Sequence, residues 1–421
     1  GSELTGVSGF GSAFDNTSGT LGNLIYETPR NFYQTGVTSA YIVAESSSGN
    51  IAFTRLNEIK QAYKITSSDQ ISNLKKAINR IRKFAKKQLH KSWSYKDKSS
   101  TLGEKVTAID SVGVYVPGGK ASYPSTVMMN VIPARVAGVR KIYMSCPIDD
   151  IKNHSLAIVA ADLCKVDSIF KMGGAHSIAA LAYGTPTIPQ VDKIVGPGNL
   201  FVSTAKKFVF GDVGIDNIAG PSEIVIVADK KNNPDMIAID LFSQAEHDEL
   251  AQPILISKSH LLIESVFNSM KKLLPRMSRK KIIMESIKNR GLFIKTNSDS
   301  ETANIVNTIA PEHLELMYRD QKFLKQIRNA GAIFLGENSP EVFGDYCAGP
   351  NHVLPTSGSA RFSSPLGVYD FLKRYSVINI SKKETDLPCD RSMTSKFSFE
   401  DFNVLSGTSK SLTSYVYTLS I

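Results

Sequence analysis

The sequence lacks the features typical of secreted, membrane-spanning or disulfide-bonded proteins. Its four cysteines, Cys146, Cys164, Cys347 and Cys389, lie far apart and form no C-x-x-C pair, so neither a redox motif nor a zinc ribbon is indicated. No uninterrupted apolar run reaches the roughly 18 residues of a membrane helix. The first residues show no basic region followed by an apolar stretch. We therefore expect reduced thiols and a cytoplasmic protein that does not associate with membranes.

Acidic residues are absent from one strongly basic stretch, KKAINRIRKFAKKQLHK at Lys75–Lys91, which carries much of the net charge of +10. The apolar residues between Ile71 and Ala85 recur at helical spacing, so the basic side chains are predicted to occupy the outer face of an amphipathic helix capped near Ser67. A nucleic-acid surface is the alternative, since charge alone binds phosphates without sequence preference. No aromatic side chains interleave with the lysines, and we expect no nucleic-acid partner.

The 421 residues exceed the roughly 250 to 300 at which one hydrophobic core stops growing, so at least two domains are expected. From Val112 the β-rich runs VGVYV, KIYMS, KIVG and EIVIVA alternate with Ala-rich stretches such as HSIAALAYG. This alternation resumes after Asp235 with PILIS, GLFIKT and AGAIFLG, and it predicts an α/β fold with parallel sheets in two successive units. Residues 1–50 and the stretch from Lys382 onward are polar and weakly periodic.

A dipeptide, Glu312-His313, has the chemistry of an acid-base pair. Pro311 precedes it, and proline at a first helical position followed by acidic residues predicts a helix that begins at Pro311. A neighbouring carboxylate and imidazole provide two proton acceptors, which suits removal of a hydroxyl proton and later activation of water. Taken alone, the dipeptide also fits a capped helix with an incidental histidine.

Two further segments carry possible metal ligands. In FSQAEHDEL, Gln244 and His247 are three residues apart and share a face of a predicted helix, where both can reach one ion. The segment GDYCAGPNHVLPT places Asp345 and His352 in a loop rich in glycine and proline. Cys347, between them, is an alternative nucleophile. A histidine on a helix surface is the alternative for His247, and a small buried apolar residue is the alternative for Cys347.

No complete G-x-G-x-x-G fingerprint is present, but three glycine-bearing turns follow predicted strands. They contain Gly118-Gly119, Gly173-Gly174 and the GPGN stretch from Gly196 to Asn199. Glycine lets a backbone approach a nucleotide closely, and it equally permits a tight strand-to-helix connection. The turns by themselves leave both possibilities open.

Taken together, these segments resemble histidinol dehydrogenases in order and spacing from about Val112 to Ile378. The stretches that carry the resemblance include VGVYVPGG, YPSTVMMNVIPARVAGV, FGDVGIDNIAGPSEI, FSQAEHDELAQPILI, IAPEHLEL and GDYCAGPNHVLPTSGSARF. The resemblance implies two incomplete Rossmann-like α/β domains with small terminal extensions, in an intertwined homodimer. The implied parts are an N-terminal arm (1–21), a first α/β domain with the metal and catalytic residues (22–114 and 224–366), an NAD-binding second domain (115–223) and a C-terminal dimerisation extension (367–421).

The resemblance also implies an activity, the NAD-dependent oxidation of L-histidinol through a bound aldehyde to L-histidine, in histidine biosynthesis. One zinc ion per subunit would be held by Gln244, His247 and Asp345. His313 would be the general base, and Glu312 would activate water. Contacts with the amino alcohol substrate are implied for Ser222, Gln244, His247, His313, Asp345 and His352. Contacts with NAD are implied for Tyr115, His176 and Asn199.

The sequence departs from the family pattern in two places. The family ends with a Glu-Gly-Leu-x-Ala-His segment whose histidine completes the zinc site of the other subunit, whereas LSGTSKSLTSYVYTLSI stands here and no histidine follows His352. His176 stands where the family usually has glutamine. Only three zinc ligands are therefore expected from this chain. A related zinc and NAD alcohol dehydrogenase acting on another amino or sulfonated alcohol, or a catalytically degenerate homologue, are the alternative hypotheses.

Overall fold

The computed structural model describes residues 56–118, 122–218, 220–317 and 320–381, together with the backbone of four two-residue strands nearer the N-terminus. These short strands pair antiparallel, β1 (Leu21–Gly22) with β4 (Glu45–Ser46) and β2 (Tyr26–Glu27) with β3 (Tyr41–Ile42). The predicted polar tail from Lys382 lies outside the described residues, as does almost all of the predicted arm.

Two helices, α1 (Leu56–Ile65) and α2 (Ser68–Ala85), come before the sheets. Ser67 caps α2 through a capping box, in which its hydroxyl accepts from the Gln70 amide and the Gln70 side chain accepts from the Ser67 amide. This confirms the predicted basic amphipathic helix. Its buried side is formed by Leu74, Ile78, Ile81 and Ala85.

The remaining strands and helices alternate along the chain. From Trp93 to Ala228 they are β5 (Trp93–Asp97), β6 (Ser100–Ala108), β7 (Ser111–Tyr115), α3 (Pro124–Ala137), β8 (Lys141–Ser145), α4 (Ile151–Leu163), β9 (Ser168–Phe170), α5 (Gly174–Tyr183), β10 (Lys193–Val195), α6 (Leu200–Val209), β11 (Gly214–Ile215) and β12 (Glu223–Ala228). From Pro234 to Asn379 they are α7 (Pro234–Ala245), β13 (Gln252–Ser257), α8 (His260–Leu273), α9 (Lys280–Arg290), β14 (Leu292–Lys295), α10 (Asp299–Ile309), β15 (His313–Leu316), α11 (Gln321–Leu324), β16 (Ala332–Leu335), α12 (Glu341–Phe343) and β17 (Leu372–Asn379). None of the helices in the described ranges is long and apolar enough to cross a membrane.

The first sheet has five parallel strands in the order β11-β10-β7-β8-β9. The strand order reverses between β7 and β10, which makes a topological switch point. In open parallel sheets the crevice beyond the carboxyl ends of the strands at such a point is the usual place for a ligand. Tyr115 ends β7 and Gly196 follows β10, so both lie at this crevice.

The second sheet repeats the same plan, with five parallel strands in the order β14-β13-β12-β15-β16. All six residues of β12 are buried, as expected for a central strand covered on both faces. The predicted α/β class with parallel sheets is confirmed. The domain boundaries implied by the family resemblance stay a prediction.

One predicted element is wrong, because the helix expected to begin at Pro311 is a strand. The preceding helix, α10, ends at Ile309, and Ala310 adopts the left-handed conformation with φ of 49° as its C-cap. Proline is common just after such a cap because it cannot continue the helix. The four residues of β15 are all buried between β12 and β16, so burial in the sheet decides the conformation of His313–Leu316.

A separate, smaller unit contains the three-stranded sheet β17-β6-β5 and, among the described residues, comprises 90–107 and 373–381. Strands β5 and β6 form an antiparallel pair. Every residue of β5 is exposed in the single chain, including Trp93 and Tyr95, whose rings stack with centroids 6.3 Å apart. The exposed residues of β17 include Ile378.

Candidate active site

His313 opens strand β15 and is almost fully buried. Its Nδ1 atom lies 3.0 Å from the backbone carbonyl oxygen of Glu223, at the start of the neighbouring strand β12. A carbonyl oxygen only accepts, so Nδ1 carries the hydrogen. The other ring nitrogen, Nε2, lies 3.4 Å from Asp345 Oδ1 and 3.9 Å from Glu341 Oε1. The register between β12 and β15 therefore fixes which nitrogen faces the carboxylates.

Glu312 is held beside His313 by the same residue. Its Oε2 atom accepts a hydrogen bond of 3.0 Å from the Glu223 amide and lies 3.7 Å from His313 Nδ1. Burial raises the pKa of the Glu312 carboxyl to about 7, against the opposing influence of the His313 charge and the Glu223 amide. Glu312 can therefore take up or release a proton near neutral pH. The predicted pair does lie together, although a strand and not a helix positions it.

Glu341 is a site residue that the sequence analysis missed. It begins the short helix α12, and Asp345 follows one turn later in a π-type turn over Gly344–Ala348. One potential ligand atom from each of His313, Glu341 and Asp345 lies within 4.8 Å of the others. The E-x-x-x-D spacing in PEVFGDY is the signal that could have identified Glu341, because residues four apart share a helix face.

Glu341 is fixed by buried contacts from two sides. Its backbone amide donates to Glu315 Oε1 at 2.7 Å, and the Ser243 hydroxyl donates to its Oε2 at 3.1 Å. Burial raises the pKa of Glu341 to about 7, of Glu315 to about 8 and of Asp240, next to Glu315, to about 6. Interacting carboxyl groups thus connect Glu341 through Glu315 to the half-buried Asp240.

The charge balance of the cluster favours a cation. Burial by itself disfavours a charged His313 ring, but the neighbouring carboxylates of Glu312, Asp345 and Glu341 outweigh burial and raise its pKa to about 10. The pKa of Asp345 is lowered, because His313 and the nearby His352 oppose the effect of its burial. The same concentration of negative charge that favours a proton on His313 favours a metal ion in its place.

Gln244 and His247 lie beside this cluster, but the helix that carries them is shorter than predicted. It ends at Ala245, and His247 follows its C-terminus. The acidic stretch Glu246–Glu249 opposes continuation, because negative charge at a helix C-terminus is unfavourable. The two side chains nevertheless meet, with Gln244 Nε2 3.2 Å from His247 Nδ1. Asp345 and His313 both influence the pKa of His247, which desolvation lowers.

His352 also belongs to this group, and Ser222 flanks it. Burial lowers the pKa of His352, and the ring hydrogen-bonds the backbone of Asp345 and is influenced by the charges of Asp345 and His313. Ser222 immediately precedes Glu223 at the start of β12, and its carbonyl oxygen accepts from the Gln252 amide at 2.9 Å. The Cys347 side chain lies outside the described residues, so its alternative role as a nucleophile stays a prediction.

The donor atoms fit a zinc ion. Gln244 Oε1 and His313 Nε2 are both buried and have no hydrogen-bond partner among the described residues. Buried polar atoms without partners are costly, and a bound cation or ligand is a common explanation for them. The carboxylates of Glu341 and Asp345 and the imidazole of His313, whose potential ligand atoms lie within 4.8 Å of one another, suit a borderline cation such as Zn²⁺.

The three residues expected to contact NAD lie at turns of the first sheet. The Tyr115 hydroxyl accepts at 3.2 Å from the amide of Gly174, which lies two residues before His176 in the sequence. His176 lies in the first turn of α5, and burial lowers its pKa, so its ring is neutral at pH 7. Asn199 caps α6 by accepting from the Val202 amide, and it is exposed at the end of the GPGN turn.

Close backbone packing joins two of these turns. Gly196 has φ of 114°, and a Cβ atom there would lie 2.1 Å from the Tyr115 carbonyl oxygen. Only glycine tolerates this conformation and approach. The turn after β10 therefore lies directly against the end of β7, at the switch point of the sheet.

Comparisons with known proteins agree with this arrangement. The family model described as histidinol dehydrogenase matches residues 43–394. The histidinol dehydrogenase of Nitrosospira multiformis is 55% identical over 327 residues, which cover 77% of this chain and 74% of the relative. That of Nitrosomonas europaea is 56% identical over 310 residues, covering 73% and 72%. The crystal structure of the Elizabethkingia anophelis histidinol dehydrogenase aligns with a TM-score of 0.77 at 31% identity, covering 85% of this chain and 82% of that one.

Proposed function

Since the chain belongs to the histidinol dehydrogenase family, whose members are oxidoreductases, we propose that it oxidises L-histidinol to L-histidine in two NAD-dependent steps at a zinc site. The observation that carries the proposal is the buried cluster of His313, Glu312 and Asp345, in which His313 Nε2 lies 3.4 Å from Asp345 Oδ1 and has no hydrogen-bond partner among the described residues. We propose that the second sheet carries this chemistry and that the first sheet carries the nucleotide.

His313 acts as the general base in the first step. Its Nδ1–H donates to the Glu223 carbonyl, so Nε2 is the nitrogen that exchanges the proton. A zinc ion beside the carboxylates would offset the negative charge that otherwise keeps Nε2 protonated. Nε2 takes the hydroxyl proton of the alcohol while a hydride leaves the carbinol carbon, and an aldehyde results. Burial of the ring keeps water from competing for the proton.

Glu312 acts in the second step. The aldehyde adds water, and the Glu312 carboxylate accepts the proton of that water. Its Oε2 is held by the Glu223 amide, which leaves Oε1 for this role. A second hydride then leaves the hydrated carbon, and the product is a carboxylate. A pKa of about 7 suits a group that must alternate between both protonation states.

Gln244, His247 and Asp345 would hold the zinc ion, with His313 and Glu341 next to it. Zinc supplies a positive charge that polarises the amino alcohol and offsets the surrounding carboxylates. Glu341, fixed by Ser243 and the Glu315 carboxylate, keeps the Asp345 side of the cluster in place. His352 and Ser222 are proposed to contact the substrate.

Tyr115, His176 and Asn199 would bind NAD, which supplies the hydride acceptor in both steps. Their place at the switch point of a parallel sheet supports this assignment. Exposed Asn199 keeps its amide nitrogen available while its oxygen caps α6. A neutral His176 can donate or accept one hydrogen bond, as a glutamine amide does.

A homodimer is also proposed. Strands β5 and β17 expose Trp93, Tyr95 and Ile378 in the single chain, and apolar side chains exposed together are typical of a surface that a partner covers. In the family resemblance the second subunit completes the zinc site. A second subunit would then influence both stability and metal binding.

The test is NADH formation by purified protein supplied with zinc, NAD and L-histidinol, followed by absorbance. Two NADH per histidinol consumed would support the proposal. Bound zinc and NAD without NADH formation from histidinol would contradict it. Turnover of a different amino or sulfonated alcohol under the same conditions would assign another substrate to the same site, whereas failure to bind either cofactor would indicate a degenerate homologue.

A further inference from the structure

Lys206 is the most deeply buried lysine of the described residues, with 2% of its surface exposed. It lies in α6, which follows the GPGN turn. Its ammonium group pairs with Asp216 Oδ1 and donates to the carbonyl oxygens of Gly196 at 3.0 Å and Asn217 at 3.2 Å. All three donors of the ammonium are thus used. Burying a charge is costly unless it is paired and hydrogen-bonded. A buried lysine adds nothing to solubility, so its burial indicates a structural role for the ammonium group.

Both side chains of the Lys206–Asp216 pair hydrogen-bond the backbone of Gly196. Asp216 Oδ2 accepts from the Gly196 amide at 2.7 Å, while Lys206 donates to the Gly196 carbonyl. Both backbone polar groups of Gly196 are therefore bound to the same ion pair. The segment cannot shift without breaking a charge-assisted hydrogen bond.

Gly196 connects the ion pair to the carboxyl-terminal edge of the first sheet, where NAD is proposed to bind. Its backbone packs against the Tyr115 carbonyl, and its turn leads within three residues to Asn199. The Tyr115 hydroxyl in turn accepts from the Gly174 amide, next to the helix that carries His176. The Gly196 turn that the ion pair holds therefore packs against Tyr115 and leads along the chain to Asn199. Tyr115 connects it to the helix that carries His176.

We propose that the Lys206–Asp216 pair is a positioning device for NAD binding, which sets the GPGN turn against Tyr115 and orients Asn199. This inference rests on the proposed NAD-dependent function. Neither side chain is required to touch the dinucleotide. Loss of the pair acts through Gly196, and so it weakens NAD binding while the proton-transfer residues on the second sheet keep their places.

The experiment measures the dissociation constant for NAD by calorimetry on the full chain. The double variant Lys206→Met/Asp216→Asn removes both charges and keeps similar volumes, since removing only one partner leaves a buried unpaired charge and can prevent folding. We expect the dissociation constant and the KM for NAD to rise about tenfold or more, because small displacements of positioning groups have large effects. The KM for histidinol and the zinc content are expected to stay within about twofold.

The matched control is Arg135→Met/Asp167→Asn, which removes an ion pair at the opposite, amino-terminal edge of the same sheet. This control should lower the melting temperature without changing NAD binding. Unchanged NAD affinity in the Lys206 double variant, or an equal loss in the control, would overturn the positioning role. Failure of the unaltered chain to bind NAD would overturn the proposed cofactor itself, and the two failures are therefore distinguishable.

Discussion

The Nδ1 atom of His313 hydrogen-bonds the backbone carbonyl of Glu223 at 3.0 Å, across the pairing of strands β15 and β12. A backbone contact of this kind does not depend on any side chain that could rotate away. It directs Nε2 toward Asp345 and Glu341, so the pairing of the two strands sets the orientation of the His313 ring. The amide of the same residue holds Glu312. The first residue of β12 thus positions the side chains of both His313 and Glu312.

Replacing the base should abolish most of the turnover without affecting the cofactors. For His313→Gln we expect kcat to fall by about 10² to 10⁴, the usual contribution of a general base. The NAD dissociation constant should stay unchanged, since Tyr115 and Asn199 are untouched. Steady-state kinetics and calorimetry check these values. His154→Gln, at another buried histidine, is the control. Assayed below its melting temperature, this variant should have the kcat of the unaltered chain. Equal losses in both variants would argue against a base at His313.

In the proposed mechanism, Glu312 should make the second oxidation step dependent on pH. The carboxylate is the active form of the base, and burial raises its pKa to about 7. Oxidation of the aldehyde should therefore slow as the pH falls through about 7. In Glu312→Gln this acidic limb should disappear and the rate should be low at every pH. The aldehyde as substrate isolates this half, and Glu264→Gln, at an exposed carboxyl, is the control. An unaltered acidic limb in Glu312→Gln would assign that pKa to another group.

Metal content tests whether Asp345 and Glu341 both contribute to zinc binding. Asp345→Asn should weaken zinc binding by at least about 10- to 100-fold, because it removes a charged donor. Glu341→Gln should weaken it as well, since the Glu341 carboxylate lies in the same cluster. Zinc per subunit after dialysis is the measurement, with Asp299→Asn as a surface control. Full zinc content in Asp345→Asn would show that the ion is bound elsewhere.

The sequence alone predicts the repeated α/β units well, because buried parallel strands are continuous apolar runs and their helices are rich in alanine. EIVIVA and PILIS needed no structural information. The sequence identifies Glu312 and His313 as neighbouring candidate residues, but it predicts a helix where the structure has strand β15. A proline after a helix and one that begins a helix look alike locally, and only burial between β12 and β16 decides the outcome.

Glu341 shows the second limit. Glu341 is placed beside His313 by two other elements, since Glu315 accepts from its backbone amide and the Ser243 hydroxyl donates to its carboxylate. Convergence of this kind depends on contacts between residues 26 and 98 positions apart, which no local pattern contains. The Lys206–Asp216 pair is similar. A lysine in a short helix is normally a surface residue, and its burial follows from the turn that it supports.

Lowering the pH should weaken the ion pair between Arg135 and Asp167 at the first sheet. Asp167 is partly buried, which opposes ionisation, but the Ile142 amide and Arg135 outweigh burial and lower its pKa below 3.8. A lowered pKa in the folded state stabilises the fold above the unfolded value, and this stabilisation is lost as the pH falls through the folded value. The difference in unfolding free energy between the unaltered chain and Asp167→Asn should be constant near neutrality and shrink below about pH 4. Urea titrations measure it, and a difference independent of pH would exclude the charge as its source.

Association through the small sheet is open to a direct test. Light scattering should give about 92 kDa, twice the 46.0 kDa of one chain. Trp93→Asp and Ile378→Asp introduce a charge into exposed apolar positions of β5 and β17, and each should shift the mass toward 46.0 kDa, because an unpaired charge is costly in an interface. Leu261→Asp, at an even more exposed leucine of α8, should leave the mass unchanged. If the metal site needs the second subunit, zinc content should fall together with the mass in the two strand variants. A monomer that retains zinc and full activity would contradict the dimer as the working form.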